Sequence, residues 1–198
     1  QLGKETNIFH AGPETVNHIL LNSPVLSQRK LRQLLQMAPY DEANALIDLS
    51  YAPEEGLKAG IERICAQAEQ AARAGKVMLL LSDRYPVPGR PMVHALLATG
   101  AVHHHLSRAG LRCDVNLIVE TGTARDAHHM ACLIGFGATA VYPYLAYQTL
   151  FDLGRRGILK LKKGGEFTQI GRSYRKGLLK GLSKIISKMG ICTIASYR

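Results

Sequence analysis

The stretch Lys76–Leu81, KVMLLL, is apolar throughout after its lysine and has a turn signal on either side. A strand with one wet face alternates apolar and polar residues. An unbroken run of this length reads instead as a parallel strand buried on both faces. Parallel neighbours cannot be joined by a tight turn and need crossovers, usually helical. The rest of the chain supplies them. Ala45–Leu49 is a short β-prone run, and Pro53 opens a helix to about Ala74 with Leu57, Ile61, Ile64, Cys65, Ala68 and Ala72 along one face. After KVMLLL come a helix over Met92–Arg108, a strand over Cys113–Val119 and a helix over Ala124–Ile134. A strand over Ala138–Val141 and a helix over Leu145–Leu153 complete the series.

Four strand–helix units in succession predict a single α/β domain with a mainly parallel sheet. Their spacing fits either half of a (β/α) barrel or an open doubly wound sheet, and periodicity does not choose between them. Residues 1–44 lead in, with loop signals at Gly3, Asn7 and Gly12-Pro13. Residues 45–153 form the strand–helix core, and 154–172 a linker rich in Gly and Lys. Residues 173–198 hold an amphipathic helix over Ser173–Met189 and a final strand over Ile191–Ala195.

Charge divides unevenly along the chain. Residues 1–153 carry 13 Lys/Arg against 14 Asp/Glu, whereas 154–198 carry 12 basic residues against the single Glu166. The +10 net charge therefore belongs to the tail. On the tail helix Lys176, Lys180, Lys184 and Lys188 recur every four residues. Leu178, Leu179, Leu182, Ile185, Ile186 and Met189 fill the opposite arc. Such a stripe is solvated, faces an adjoining domain, or binds nucleic acid. With only Tyr174 interleaved, base stacking is poorly supported. Four dispersed cysteines without a CxxC pair read as reduced thiols in a cytosol-like compartment.

Two polar clusters sit just after presumed parallel strands, where α/β folds concentrate functional groups. They are Ser82-Asp83-Arg84 and Glu120-Thr121-Gly122. They read either as a functional edge or as a buried ion-pair network of Glu120 or Asp83 with Arg84 or Arg125. His103-His104-His105 point about 100° apart on a helix, and His128-His129 are adjacent, so neither cluster has metal-ligand spacing. Gly135-Phe136-Gly137 and Gly164-Gly165 are incomplete phosphate motifs. No catalytic residue, cofactor-binding residue or metal ligand is expected.

Longer strings go further. VHALLATGAVHHHLSRAGLRCDVNLIVETGTARDAHHMACLIGFGATAVYPYLAYQTL (Val93–Leu150) closely resembles the central domain of the large subunit of glutamate synthase. So do LLLSDR (Leu79–Arg84), LNSPVLS (Leu21–Ser27) and YRKGLLKGLSKIISKMGICTIASYR (Tyr174–Arg198). The resemblance covers nearly the whole chain. It implies a connector, reminiscent of the flavin barrel, between an amino-terminal glutaminase domain and an FMN-binding (β/α)8 barrel with an iron–sulfur cluster. In such enzymes glutamine-derived ammonia passes through a tunnel and aminates 2-oxoglutarate to give L-glutamate.

Carried over by position, the resemblance singles out Ser82, Asp83, Arg84, Glu120, Arg125, His128 and His129 for a polar network or interdomain coupling. It also marks the lysine stripe as a domain-facing or solvated surface. Tyr142 departs from the smaller residue, often Asn, that the family places before Pro-Tyr. The expectation is an excised central domain, inactive by itself and holding no cofactor. FMN and the iron–sulfur cluster are implied only for the full-length enzyme. Its expected partners are the glutaminase and FMN-binding domains of the same polypeptide, in the cytoplasm or a plastid, with no membrane. The competing expectation is a free-standing basic α/β nucleic-acid-binding protein.

Overall fold

A computed structural model describes residues 2–3, 18–159 and 167–197. Asn7, Gly12-Pro13 and Gly164-Gly165 lie outside the described residues. Helix α1 (Gln28–Leu35) precedes strand β1 (Asn44–Asp48). Then follow α2 (Gly56–Arg73), β2 (Met78–Ser82), α3 (Ala95–Arg108), β3 (Asn116–Glu120), α4 (Ala127–Gly135) and β4 (Ala140–Tyr142). Helices α5 (Tyr144–Arg155) and α6 (Phe167–Lys188) close the series.

The four strands are parallel and lie in the order β1-β2-β3-β4. Every residue of β2 and β3 is buried, as an unbroken apolar run requires. The strand period of two then sends alternate side chains to two separate cores. Ile47, Leu79, Leu81, Leu117, Val119 and Val141 meet α2, α3 and α4 through Ile64, Ala68, Ala98, Val102 and Met130. Met78, Leu80, Ile118, Ala140 and Tyr142 turn the other way, against Leu2, Leu26, Leu31, Leu34, Tyr40 and Tyr147. All three crossover helices thus pack on one face of a sheet whose strands follow chain order. That is the arrangement of half a barrel, with α1 and its flanking chain covering what would be the inner face.

The tail departs from the sequence expectations. Helix α6 starts at Phe167, inside the expected linker, six residues ahead of Ser173. The final strand over Ile191–Ala195 is absent. Ile194–Tyr197 forms a 3-10 turn instead. The reason is geometric. The β4 edge is already taken by a parallel bridge from Val25 to Val141, with Leu26 N donating to Val141 O at 2.8 Å. Ile194 and Tyr197 pack on the apolar cluster of Ala131, Ile134 and Leu182 instead. Leu178 and Leu182 are buried as the amphipathic pattern requires, but Met189, expected on the docked arc, is 59% exposed at the helix end. Among the described residues no helix is long and apolar enough to cross a membrane.

Candidate functional site

At the carboxyl ends of β2 and β3 the register sets Ser82 directly beside Glu120. The chain beyond each strand then turns back over this edge. Ser82 Oγ donates to Glu120 Oε2 at 2.7 Å, and Arg84 Nη1 donates to Glu120 Oε1 at 2.8 Å. Arg84 N in turn donates to Ser82 Oγ at 3.2 Å. The Arg84 and Glu120 side chains are only 19% and 5% exposed, so this ion pair is largely desolvated. Both Glu120 oxygens are engaged, as a buried carboxylate requires. Burial works against the charge on Arg84, yet Glu120 beside it wins and holds the guanidinium above its ordinary pKa.

Asp83 takes a different set of partners. Its carboxylate accepts from Thr121 Oγ1 at 2.5 Å and from Gly122 N at 2.9 Å, while Tyr144 Oη donates to its backbone carbonyl at 3.2 Å. Thr123 N donates to Thr121 Oγ1 at 3.0 Å, extending the network into the next loop. Three rings surround the Arg84 guanidinium, at 5.8 Å for Tyr85, 5.8 Å for Tyr142 and 5.5 Å for Tyr144. All lie within cation–π range. Tyr144 escaped the sequence reading, and Tyr142 entered it only as a departure from the family's pattern, with no place in this cluster. Both placements were within reach of it, because Tyr142-Pro143-Tyr144 follows β4 as Ser82-Asp83-Arg84 follows β2, so the same edge rule applies to a third strand.

Arg125, His128 and His129 do not join this cluster. They flank the start of α4, where Asp126 caps the helix by accepting from His129 N at 3.0 Å. His129 Nδ1 lies 3.0 Å from Asp126 Oδ1, and His128 Nε2 lies 3.6 Å from Cys132 Sγ one turn on. The Arg125 side chain is exposed, while its carbonyl accepts from Tyr174 Oη at 2.7 Å, which ties α6 to this loop. The three consecutive histidines of α3 diverge as helical geometry dictates. His103 Nδ1 accepts from Arg112 Nε at 2.9 Å, His105 Nε2 is 2.6 Å from Glu69, and His104 is exposed. Lys176, Lys180, Lys184 and Lys188 are all exposed. Among the described residues no three His, Cys, Asp or Glu side chains converge as a metal site.

The chemistry open to this edge is limited. Ser82 and Glu120 stand as a nucleophile and a base would, but Ser82 is 3% exposed and Glu120 is neutralised by Arg84. A reacting carbonyl has no path to the buried hydroxyl, and both Glu120 oxygens are already taken by donors. The arrangement locks three loops together.

The surrounding tyrosines make the fold sensitive to alkali. Burial pushes Tyr144 up to about 12, with the nearby Asp83 adding to it, and burial raises Tyr147 and Tyr174 to about 12 as well. Their folded values exceed the unfolded value of about 10, so their contribution is complete below pH 10 and is lost as pH rises toward 12. At least three of the eight tyrosines should ionise only together with unfolding. Phenolate absorbance and far-ultraviolet circular dichroism, followed over the same alkaline titration, check this.

Comparison with known proteins places the chain. The family model described as the glutamate synthase central domain matches residues 1–198. Ferredoxin-dependent glutamate synthase 2, chloroplastic, of Arabidopsis thaliana is 38% identical over 99% of the chain and 13% of its own length. The glutamate synthase [NADPH] large chain of Bacillus subtilis is 38% identical over 100% of the chain and again 13% of its own length. Glutamate synthase [NADH] of Saccharomyces cerevisiae is 35% identical over 100% of the chain and 10% of its own length. Among solved structures, a flavocytochrome b2 variant with benzoylformate shares the fold, with a TM-score of 0.51 at 15% identity. That match covers 74% of this chain and 38% of the other.

Proposed function

The chain belongs to the glutamate synthase central-domain family, and on that premise we propose that it is a non-catalytic connector between the ammonia-releasing and ammonia-using sites of a glutamate synthase. It spans 10–13% of the length of the curated relatives it matches. The whole enzyme would transfer the amide nitrogen of glutamine to 2-oxoglutarate. This domain would hold the glutaminase and FMN-binding domains in register and help to wall the ammonia tunnel. FMN and the iron–sulfur cluster would reside in the neighbouring barrel. A cytoplasmic or plastid location would follow from that role.

One observation carries the reading. The edge where a barrel fold puts its reactive groups is here consumed by the Arg84–Glu120–Ser82 pairing and the Asp83–Thr121 bond. Such an edge serves rigidity rather than turnover. Relatives named for ferredoxin, NADPH and NADH match the domain at 35–38% identity, which fits a task independent of the electron donor.

The test uses the full-length enzyme with Glu120→Gln, which keeps the shape of the side chain and removes its charge. The ratio of glutamine hydrolysed to glutamate formed at the synthase site should rise at least about twofold, because a loosened connector leaks ammonia; for scale, twofold is about 0.4 kcal/mol. An unchanged ratio, in a variant whose unfolding midpoint has fallen, counts against the connector role.

A further inference from the structure

Between the first turn of α1, the middle of α5 and the start of α6 lies a cleft of about 500 Å3. That volume is within the range of small-molecule sites. Arg29 and Lys30 on α1 and Arg172 and Arg175 on α6 line it, and among the described residues no carboxylate does. Among the described residues none of these four cations makes an ion pair. Like charges gathered around one concavity repel each other and favour an anion between them. The wall behind them is aromatic. Tyr147 and Phe151 stack at 6.4 Å with their planes 24° apart, and the Tyr142 ring lies 6.0 Å from Tyr147.

The most telling atom is the Tyr147 hydroxyl. Tyr147 lines the cleft, is 5% exposed, and its Oη has no hydrogen-bond partner among the described residues. It lies within the electrostatic reach of Arg175 on the same wall. Buried hydroxyls are almost always paired, so one without a partner among the described residues, on the wall of a cationic cleft, marks the place of an acceptor oxygen. Burial pushes this phenol up to about 12, so it is a donor at neutral pH. A ligand that satisfies the whole cleft has several anionic oxygens and a flat apolar body.

We propose that this cleft binds a phosphate monoester bearing a planar apolar group. Arg172, Arg175 and Lys30 hold the phosphate oxygens, Tyr147 Oη donates to one of them, and the organic group lies along Tyr142 and Phe151. Guanidinium forks match phosphate geometry, and the lysine adds a point charge. The sequence reading did not reach this cleft, because its residues come from three separated stretches of chain and match no glycine-rich phosphate motif.

Calorimetric titration with phenyl phosphate tests the proposal, with phenol, inorganic phosphate and a hexaglutamate peptide as comparison ligands. One equivalent of phenyl phosphate should bind, at least about fivefold tighter than either phenol or inorganic phosphate, since both halves of the cleft contribute. Tyr147→Phe should weaken binding about tenfold, the loss of one hydrogen bond to a charged acceptor. It should not lower the melting temperature, since that hydroxyl has no partner to lose. Arg172→Gln with Arg175→Gln should weaken binding at least about thirtyfold, and Lys184→Gln on the far side of α6 should leave it unchanged. Lack of saturable binding up to about 10 mM, or equal affinity in wild type and Tyr147→Phe, would overturn the proposal. Tighter binding of hexaglutamate than of phenyl phosphate would also overturn it, assigning the cleft to an acidic polypeptide.

Discussion

Arg84→Ala should lower the free energy of unfolding by about 3–5 kcal/mol, the largest effect we expect from any single side-chain truncation in this chain. The loss does not measure how strong the Arg84–Glu120 pair is. Removing the guanidinium leaves Glu120, 5% exposed, with a full charge and only the Ser82 hydroxyl for company. A buried carboxylate in that position pays its desolvation without return. The rings of Tyr85, Tyr142 and Tyr144 would face a void where the cation had been. The double variant Arg84→Ala with Glu120→Ala should therefore be more stable than Arg84→Ala alone, because the stranded charge leaves with its partner. Urea unfolding of the two singles and the double closes the cycle. Equal midpoints for Arg84→Ala and wild type would show that the carboxylate reaches water by another route.

Gly137→Ala should cost about 2–4 kcal/mol, combining an unfavourable backbone with overpacking. Gly137 follows α4 at φ +112°, a conformation that L side chains rarely adopt. A Cβ placed there would sit 2.5 Å from His103 Nδ1 and 2.6 Å from its Cγ. The histidine is poorly placed to retreat, because Nδ1 accepts from Arg112 Nε at 2.9 Å. The same arginine donates to the Gly137 carbonyl at 2.7 Å and to Val115 O at 2.8 Å. Displacing His103 thus disturbs the Arg112 contacts that bind the α3–β3 turn to the α4–β4 turn. Trimming the imidazole should return part of the loss, so Gly137→Ala with His103→Ala should be less destabilised than the two single costs added together. Thermal unfolding checks both statements. The backbone share of the cost stays in the double variant, since His103 has no part in φ.

The histidine runs show how far residue spacing carries. Their divergence on α3 was legible, since 100° per residue is a property of any α-helix. Their partners, Arg112 for His103 and Glu69 for His105, were not, because each comes from a different segment. The strand-end cluster divides in the same way. Ser82, Asp83, Arg84 and Glu120 could be placed at one sheet edge from the abrupt change of polarity after two apolar runs. Arg125 could also be placed near that edge. Only the β2–β3 register decided that Arg84 reaches Glu120 while Asp83 turns to Thr121 and Gly122.

Local pattern by itself determined the α/β class, the parallel strands, the three crossover helices and the buried arc of α6 around Leu178 and Leu182. Each depends on a period of two or 3.6 that a short window contains. The motif strings carried the family. Tertiary structure decided that the strands lie in chain order with α2, α3 and α4 on one face. It decided that Ile194–Tyr197 packs on α4 rather than joining a sheet edge already held by Val25, and that four cations without an ion pair among the described residues line one cleft with Tyr147. The physical reason is common to all three. Which edge is vacant, which face is already covered and which charges meet are set by contacts between residues far apart in the chain, and periodicity holds no record of those contacts.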